Sequence, residues 1–164
     1  MYSDDLETRK VELLDRIRTT HARLEQALAV LSPEQLEMEN TIGDWSAKAT
    51  LGHITWWERV PLHALRGETD EDLLPGEEWN TDRANAVLRE RNQPRPLDEV
   101  LASFHASYTE LLRELEALPA ERLEEASPYG GSLIELIAGN TYAHYDEHAN
   151  LFAAAFGLEA SETP

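Results

Sequence analysis

Cysteine is absent from the 164-residue chain. That excludes disulfides, thiolate metal ligands and a protein thiol nucleophile. Any metal has to be held by imidazole and carboxylate, and any thiol chemistry has to come from a small cosubstrate. Positive charge is also scarce: 14 Lys and Arg stand against 32 Asp and Glu, for a formal net charge of −18. A surface that acidic repels phosphate backbones and anionic lipid, so nucleic acid is disfavoured as a partner. No run approaches the roughly 18 apolar residues of a membrane span. The opening "MYSDDLETRK" is acidic and holds no apolar signal segment, so a cytoplasmic protein is expected. Strand patterns, internal repeats and low-complexity tracts are missing too, and one domain over residues 1–164 is expected.

What is present is helical periodicity. "LETRKVELLDRIRTTHARLEQALAVL" places Leu14, Ile17, His21, Leu24, Leu28 and Leu31 on one stripe. "SPEQLE" follows as a short turn of helix, with Ser32 as N-cap, Pro33 at the first position and Gln35 closing a capping box. A second long helix is predicted from about 46 to 66, with Ser46 as N-cap and Gly67 as stop. Pro61 lies inside it, which predicts a kink near 57–60. An acidic crossing over 67–96 contains a short helix, "WNTDRANAVLRER". The third long helix runs from about Pro96 to Leu118, with Leu101, Phe104, Tyr108, Leu111 and Leu115 on one stripe. After "PYGGS", Ser132 and Glu135 form a capping box for the last helix, which is predicted to run to Phe156 before Gly157. The expected fold is all-α: a four-helix bundle, up-down-down-up, whose long crossover joins the second and third helices.

"GNTYAHYDEHANLF" carries the chemistry. His144 and His148 continue the stripe of Leu133, Leu136, Ile137 and Asn140, and residues four apart on a helix can converge on one point. His53 lies about three residues before the midpoint of its helix and His148 about four after its own. Antiparallel helices bring them level, whereas a parallel pair would leave them roughly 10 Å apart. Three histidines without a fourth protein ligand make an open metal site. Asn140, Glu147 and Glu58 are candidate acceptors for the ring N–H groups. His21 and His105 also point inward and read as satisfied core histidines, while His63 lies off this line. Arg59 and Arg83 are candidate anchors for an anionic thiol. Tyr142 and Tyr145 read as packing residues beside the histidines. Trp45, Trp56, Trp57 and Trp79 could line an apolar pocket, although in so small a bundle such residues more often fill the core.

"DWSAKATLGHITWWE" resembles the "HxxxWE" signature of the DinB-like four-helix bundles, and "GNTYAHYDEH" is similar to their closing "N-x-x-x-HY-x-x-H" motif. The resemblance runs in order along nearly the whole chain, including Trp79-Asn80 in the crossing. It implies a homodimer holding a divalent metal (Zn, Ni or Fe) through residues matching His53, His144 and His148, with no DNA binding implied. Family members include thiol S-transferases, a thiol-dependent maleylpyruvate isomerase and metal-dependent hydrolases. Another branch protects cells from electrophilic toxins and often lacks the histidines; "EEWNTDRANAVLRERN" is reminiscent of it. Three functions follow as expectations. The first is a thiol-dependent S-transferase or isomerase acting on small electrophiles. The second is a hydrolase with water in place of the thiol. The third is a non-catalytic dimeric ligand-binding or protective protein.

Overall fold

Helix ends follow the capping chemistry. The computed structural model describes residues 2–68 and 73–158 and is all-helical, with no strand among the described residues. Its helices are α1 (Tyr2–Ala29), α2 (Pro33–Glu37), α3 (Ala47–Arg66), α4 (Thr81–Asn92), α5 (Leu97–Ala117), α6 (Leu133–Asn140) and α7 (Tyr142–Phe156), with a 3-10 turn at Ala120–Glu124. Ser32 and Gln35 close the box that starts α2. The Ser46 hydroxyl accepts the Ala49 N–H at 3.1 Å to start α3, and Gly67 ends it in the left-handed region at φ +67°. α3 runs unbroken from Ala47 to Arg66 with Pro61 inside it, as the spacing predicted. The acidic stretch 69–72 of the predicted crossing lies outside the described residues. No described helix is long and apolar enough to cross a membrane.

The last predicted helix is two helices. Thr141, at φ −123° and ψ −102°, separates α6 from α7. Gly139, Asn140 and Thr141 are poor helix formers, and the latter two hydrogen-bond backward instead. The Asn140 amide donates to the Leu136 carbonyl at 2.9 Å, and the Thr141 hydroxyl donates to that of Ile137 at 2.6 Å. These bonds satisfy carbonyls at the break, which is how an interruption inside the core is tolerated.

α1 packs along α7, and α3 along α5. Between them lie Leu14, Ile17, Leu24 and Leu28 from α1, Leu51 and Ile54 from α3, Phe104, Leu111 and Leu115 from α5, and Phe152 from α7. Burying each such side chain contributes about 1.5–3 kcal/mol. The crossing folds back as well. Leu73, Leu74, Ala84 and Leu88 form a second apolar cluster against Trp56 and Trp57, which docks α4 on α3.

That docking depends on Gly52. A Cβ there would overlap the side-chain amide of Asn92, which is buried, donates to the Leu88 carbonyl at 2.8 Å and accepts from Arg95 at 3.0 Å. Gly52→Ala gains about 1 kcal/mol of helix propensity. Overpacking of about 1–3 kcal/mol works against that gain, and because Asn92 is held in place the variant is expected to be destabilised. The urea midpoint should fall, and adding Asn92→Ala should recover part of the loss. A Gly52→Ala protein as stable as the parent would show that α4 adjusts freely.

Candidate metal centre

The helix break sets which residues face the core. The fully inward line through α6 and α7 is Leu133, Ile137, Thr141, Tyr145, Ala149 and Phe152. The predicted stripe shares Leu133 and Ile137 with that line, but its continuation through Asn140, His144 and His148 runs beside it, and the next residue in that direction, Leu151, is exposed. The histidines therefore sit at the edge of the core and look into a cleft. His53 approaches from α3. Its Nε2 lies 3.0 Å from Nε2 of His144, which is 2.9 Å from Nε2 of His148. The three rings meet edge-on, with centroids 4.5–5.1 Å apart.

This arrangement fits a metal ion better than a hydrogen-bond cluster. A neutral imidazole has one N–H and one lone pair, so His144 Nε2 cannot serve two partners well. Three lone pairs aimed at one point are what a divalent ion needs. At metal–nitrogen distances of about 2.0–2.1 Å, tetrahedral ligand atoms lie roughly 3.3 Å apart, close to the separations observed. All three residues offer a ligand atom within 4.8 Å of the others.

Burial keeps the rings neutral and ready to ligate. His53 is lowered to about 3 by desolvation and then by the neighbouring His144, with Asn85 acting weakly the other way. His144 is lowered to about 4 by desolvation, and His148 to about 2 by desolvation and the other two rings. The three Nδ1 atoms are buried without a partner at bonding geometry. None of the three predicted acceptors reaches them. Asn140 is turned to Leu136, Glu147 is exposed at the cleft, and Glu58 is buried elsewhere, where it accepts the Tyr145 hydroxyl.

The cleft in front of the histidines is about 690 Å³. Trp45 and Trp57 form its aromatic wall, their rings 5.5 and 6.3 Å from that of His53. Trp56 is partly buried in the α4 cluster, and Trp79 is exposed while stacking on Trp56 at 6.3 Å, so neither fills the main core. One face of α4, with Asp82, Asn85 and Arg89, also lines the cleft and adjoins Trp57, whose indole N–H donates to the Asn85 carbonyl. Sequence reasoning missed Asn85 and Arg89. Their signal was available, because Ala84 and Leu88 bury one face of α4 and residues 82, 85 and 89 share the adjoining one. Neither proposed anchor lines the cleft: Arg59 is exposed, and Arg83 is exposed 3.7 Å from Glu77.

The remaining candidates are structural. His21 is a core histidine, stacked on Tyr108 at 3.4 Å and on Phe104 at 5.1 Å. Its Nε2 is unpartnered at bonding distance, so it is not the satisfied residue expected. His105 does not point inward; it is 55% exposed and 3.0 Å from Glu25, because the buried line of α5 runs through Val100, Phe104, Ser107 and Leu111. Tyr142 packs beneath the Arg16 guanidinium at 3.7 Å, and Tyr145 is fully buried. Neither tyrosine lines the cleft, nor does His63.

The sequence profile of the DinB superfamily matches residues 16–151, and the chain belongs to that superfamily. No curated protein matches the chain significantly.

Proposed function

We propose that this DinB-superfamily chain holds one divalent metal (Zn, Ni or Fe) through the Nε2 atoms of His53, His144 and His148. With it the protein would act as a thiol-dependent S-transferase or isomerase on small electrophiles. The observation that carries the reading is the convergence of three neutral imidazoles, two buried and one partly buried, with His144 Nε2 2.9–3.0 Å from those of the other two, on the floor of a cleft. Such a cleft is within the usual range of small-molecule sites. When bound, the metal would supply Lewis acidity and lower the pKa of a thiol or water in the open position. The chain's own residues do the rest. Trp45 and Trp57 supply the apolar wall beside the histidines, and Trp57 fixes the Asn85 amide by donating to its carbonyl at 3.0 Å. With no cysteine in the chain, the sulfur belongs to the cosubstrate.

The second reading, a metal-dependent hydrolase, puts water where the thiol would sit. Glu147, a carboxylate lining the same cleft, favours it as a candidate base. The up-down-down-up course in one domain belongs to the same proposal, with α6 and α7 counted as one broken helix. It is supported by the pairing of α1 with α7 and α3 with α5, and by the meeting of His53 with His148. We also place the protein in the cytoplasm as a homodimer.

Elemental analysis of untagged protein should find near-stoichiometric metal, and light scattering should return twice the chain mass. Turnover of an electrophile panel only when thiol is added supports the transferase, and turnover in water alone supports the hydrolase. A metal-loaded protein inert to both leaves the binding-protein function standing.

A further inference from the structure

Arginines in this chain are mostly neutralised, as expected where acids outnumber bases more than twofold. Arg9, Arg18, Arg23 and Arg66 each lie beside a carboxylate of another element, and Arg122 beside Glu125 at the end of its own turn. Arg89 differs. It lines the same cleft as the three histidines, its Nε is buried without a hydrogen-bond partner, and no carboxylate among the described residues lies within ion-pair distance. A partly buried guanidinium with open donors is costly to leave unmatched. Its planar fork suits a carboxylate, gripped by two parallel hydrogen bonds.

The neighbours narrow the ligand. Asn85, one turn earlier on α4, has its carbonyl engaged by Trp57, so what it retains to offer is N–H. Asp44 and Glu147 elsewhere in the cleft, and Asp82 three residues before Asn85 on the same α4 face, would repel a second negative group. We propose that Arg89 is the anchor for a single carboxylate on the small molecule that reacts at the histidines, with Asn85 as an auxiliary donor. This rests on the metal-dependent reading for the position of the reacting end, and assigns the other end to α4. The carboxylate can belong to the thiol or to the electrophile.

Two acid–amide pairs distinguish these sources: N-acetylcysteine against N-acetylcysteinamide, and acrylate against acrylamide. Binding is followed by the change in intrinsic fluorescence, to which Trp45 and Trp57 of the cleft contribute among four tryptophans, in metal-free protein, and by thiolate-to-cobalt absorption in cobalt-loaded protein. In at least one pair the acid should bind about tenfold more tightly than the amide, the effect of a charge-assisted bidentate contact. Arg89→Gln should abolish that preference and leave amide binding intact. Arg89→Lys should keep part of it, and Arg83→Gln, on the exposed side of α4, should keep all of it. Equal binding of acid and amide in both pairs, or a preference that survives Arg89→Gln, overturns the assignment. Refusal of cobalt with an intact Arg89-dependent preference would instead overturn the metal reading and leave the anchor standing.

Discussion

Alanine at His53, His144 or His148 should each reduce metal affinity by more than the roughly 10–100-fold typical of losing an outer-shell partner. Each ring supplies a third of the protein's donor set, and no other described His, Asp or Glu joins a comparable cluster. Neither Glu147 nor Asn140 is hydrogen-bonded to a ligand ring, so neither is held in place to take over for a missing one. His105→Ala is the matched control, since that ring is exposed on α5. Chelator competition gives the affinities and elemental analysis gives the content. Metal that binds only the folded chain stabilises it by mass action, so a chelator should lower the melting temperature of the parent and leave the three variants unmoved. Retention of stoichiometric metal by any one variant removes that residue from the set; retention by all three removes the centre.

The fold was legible where one local rule decided it. Ser32, Ser46 and Ser132 mark their helix starts by side-chain chemistry alone, and the three-four spacing of Leu14 to Leu28 needs only a core to face. The histidine triad was legible for a further reason: two i,i+4 rings on one helix need only a single long-range partner, and level-matching supplied His53. What escaped the sequence depended on competition between neighbouring rules. His105 follows a stripe that is apolar in spelling, yet the phase of α5 is fixed by Val100, Phe104 and Leu111 and turns His105 to water. The break at Thr141 required weighing three weak helix formers against a strong capping box that starts nine residues upstream. The cleft's α4 wall was hidden because the crossing reads as punctuation and acid, and only its docking through Leu73, Leu74 and Leu88 converts Asn85 and Arg89 into lining residues.

Acid should unfold the metal-free protein over an unusually narrow range. His21 is held at about 4, mainly by desolvation, alongside His53 at about 3, His144 at about 4 and His148 at about 2. Each would take up its proton near 6.5 in the unfolded chain. Between those values only the unfolded state binds the proton, so stability is full above about 6.5 and falls as pH drops. At about 1.4 kcal/mol per proton per pH unit, four such groups give a slope on the order of 5 kcal/mol per unit around pH 5. That is comparable with the whole stability of a typical domain, about 5–15 kcal/mol.

Glu58 opposes this slope. Desolvation raises it to about 7, with Tyr145 and Ser107 pulling the other way, so its stabilising contribution is complete below about 4.5 and is lost as pH rises to about 7. Glu58→Gln keeps an acceptor for the Tyr145 hydroxyl and removes the titration. The variant should exceed the parent at pH 7 by on the order of 2–3 kcal/mol, with the advantage vanishing near pH 4.5 and a steeper acid transition. Circular dichroism and urea titrations of metal-free protein from pH 7.5 to 4 read both slopes. Bound metal should move the acid midpoint down, because protons must then displace it from the three rings. A parent whose stability is level from pH 7 to 5 would mean the histidines protonate in the folded protein. A glutamine variant that runs parallel to the parent would mean that Glu58 is already ionised inside the bundle, leaving Tyr145 hydrogen-bonded to a buried carboxylate.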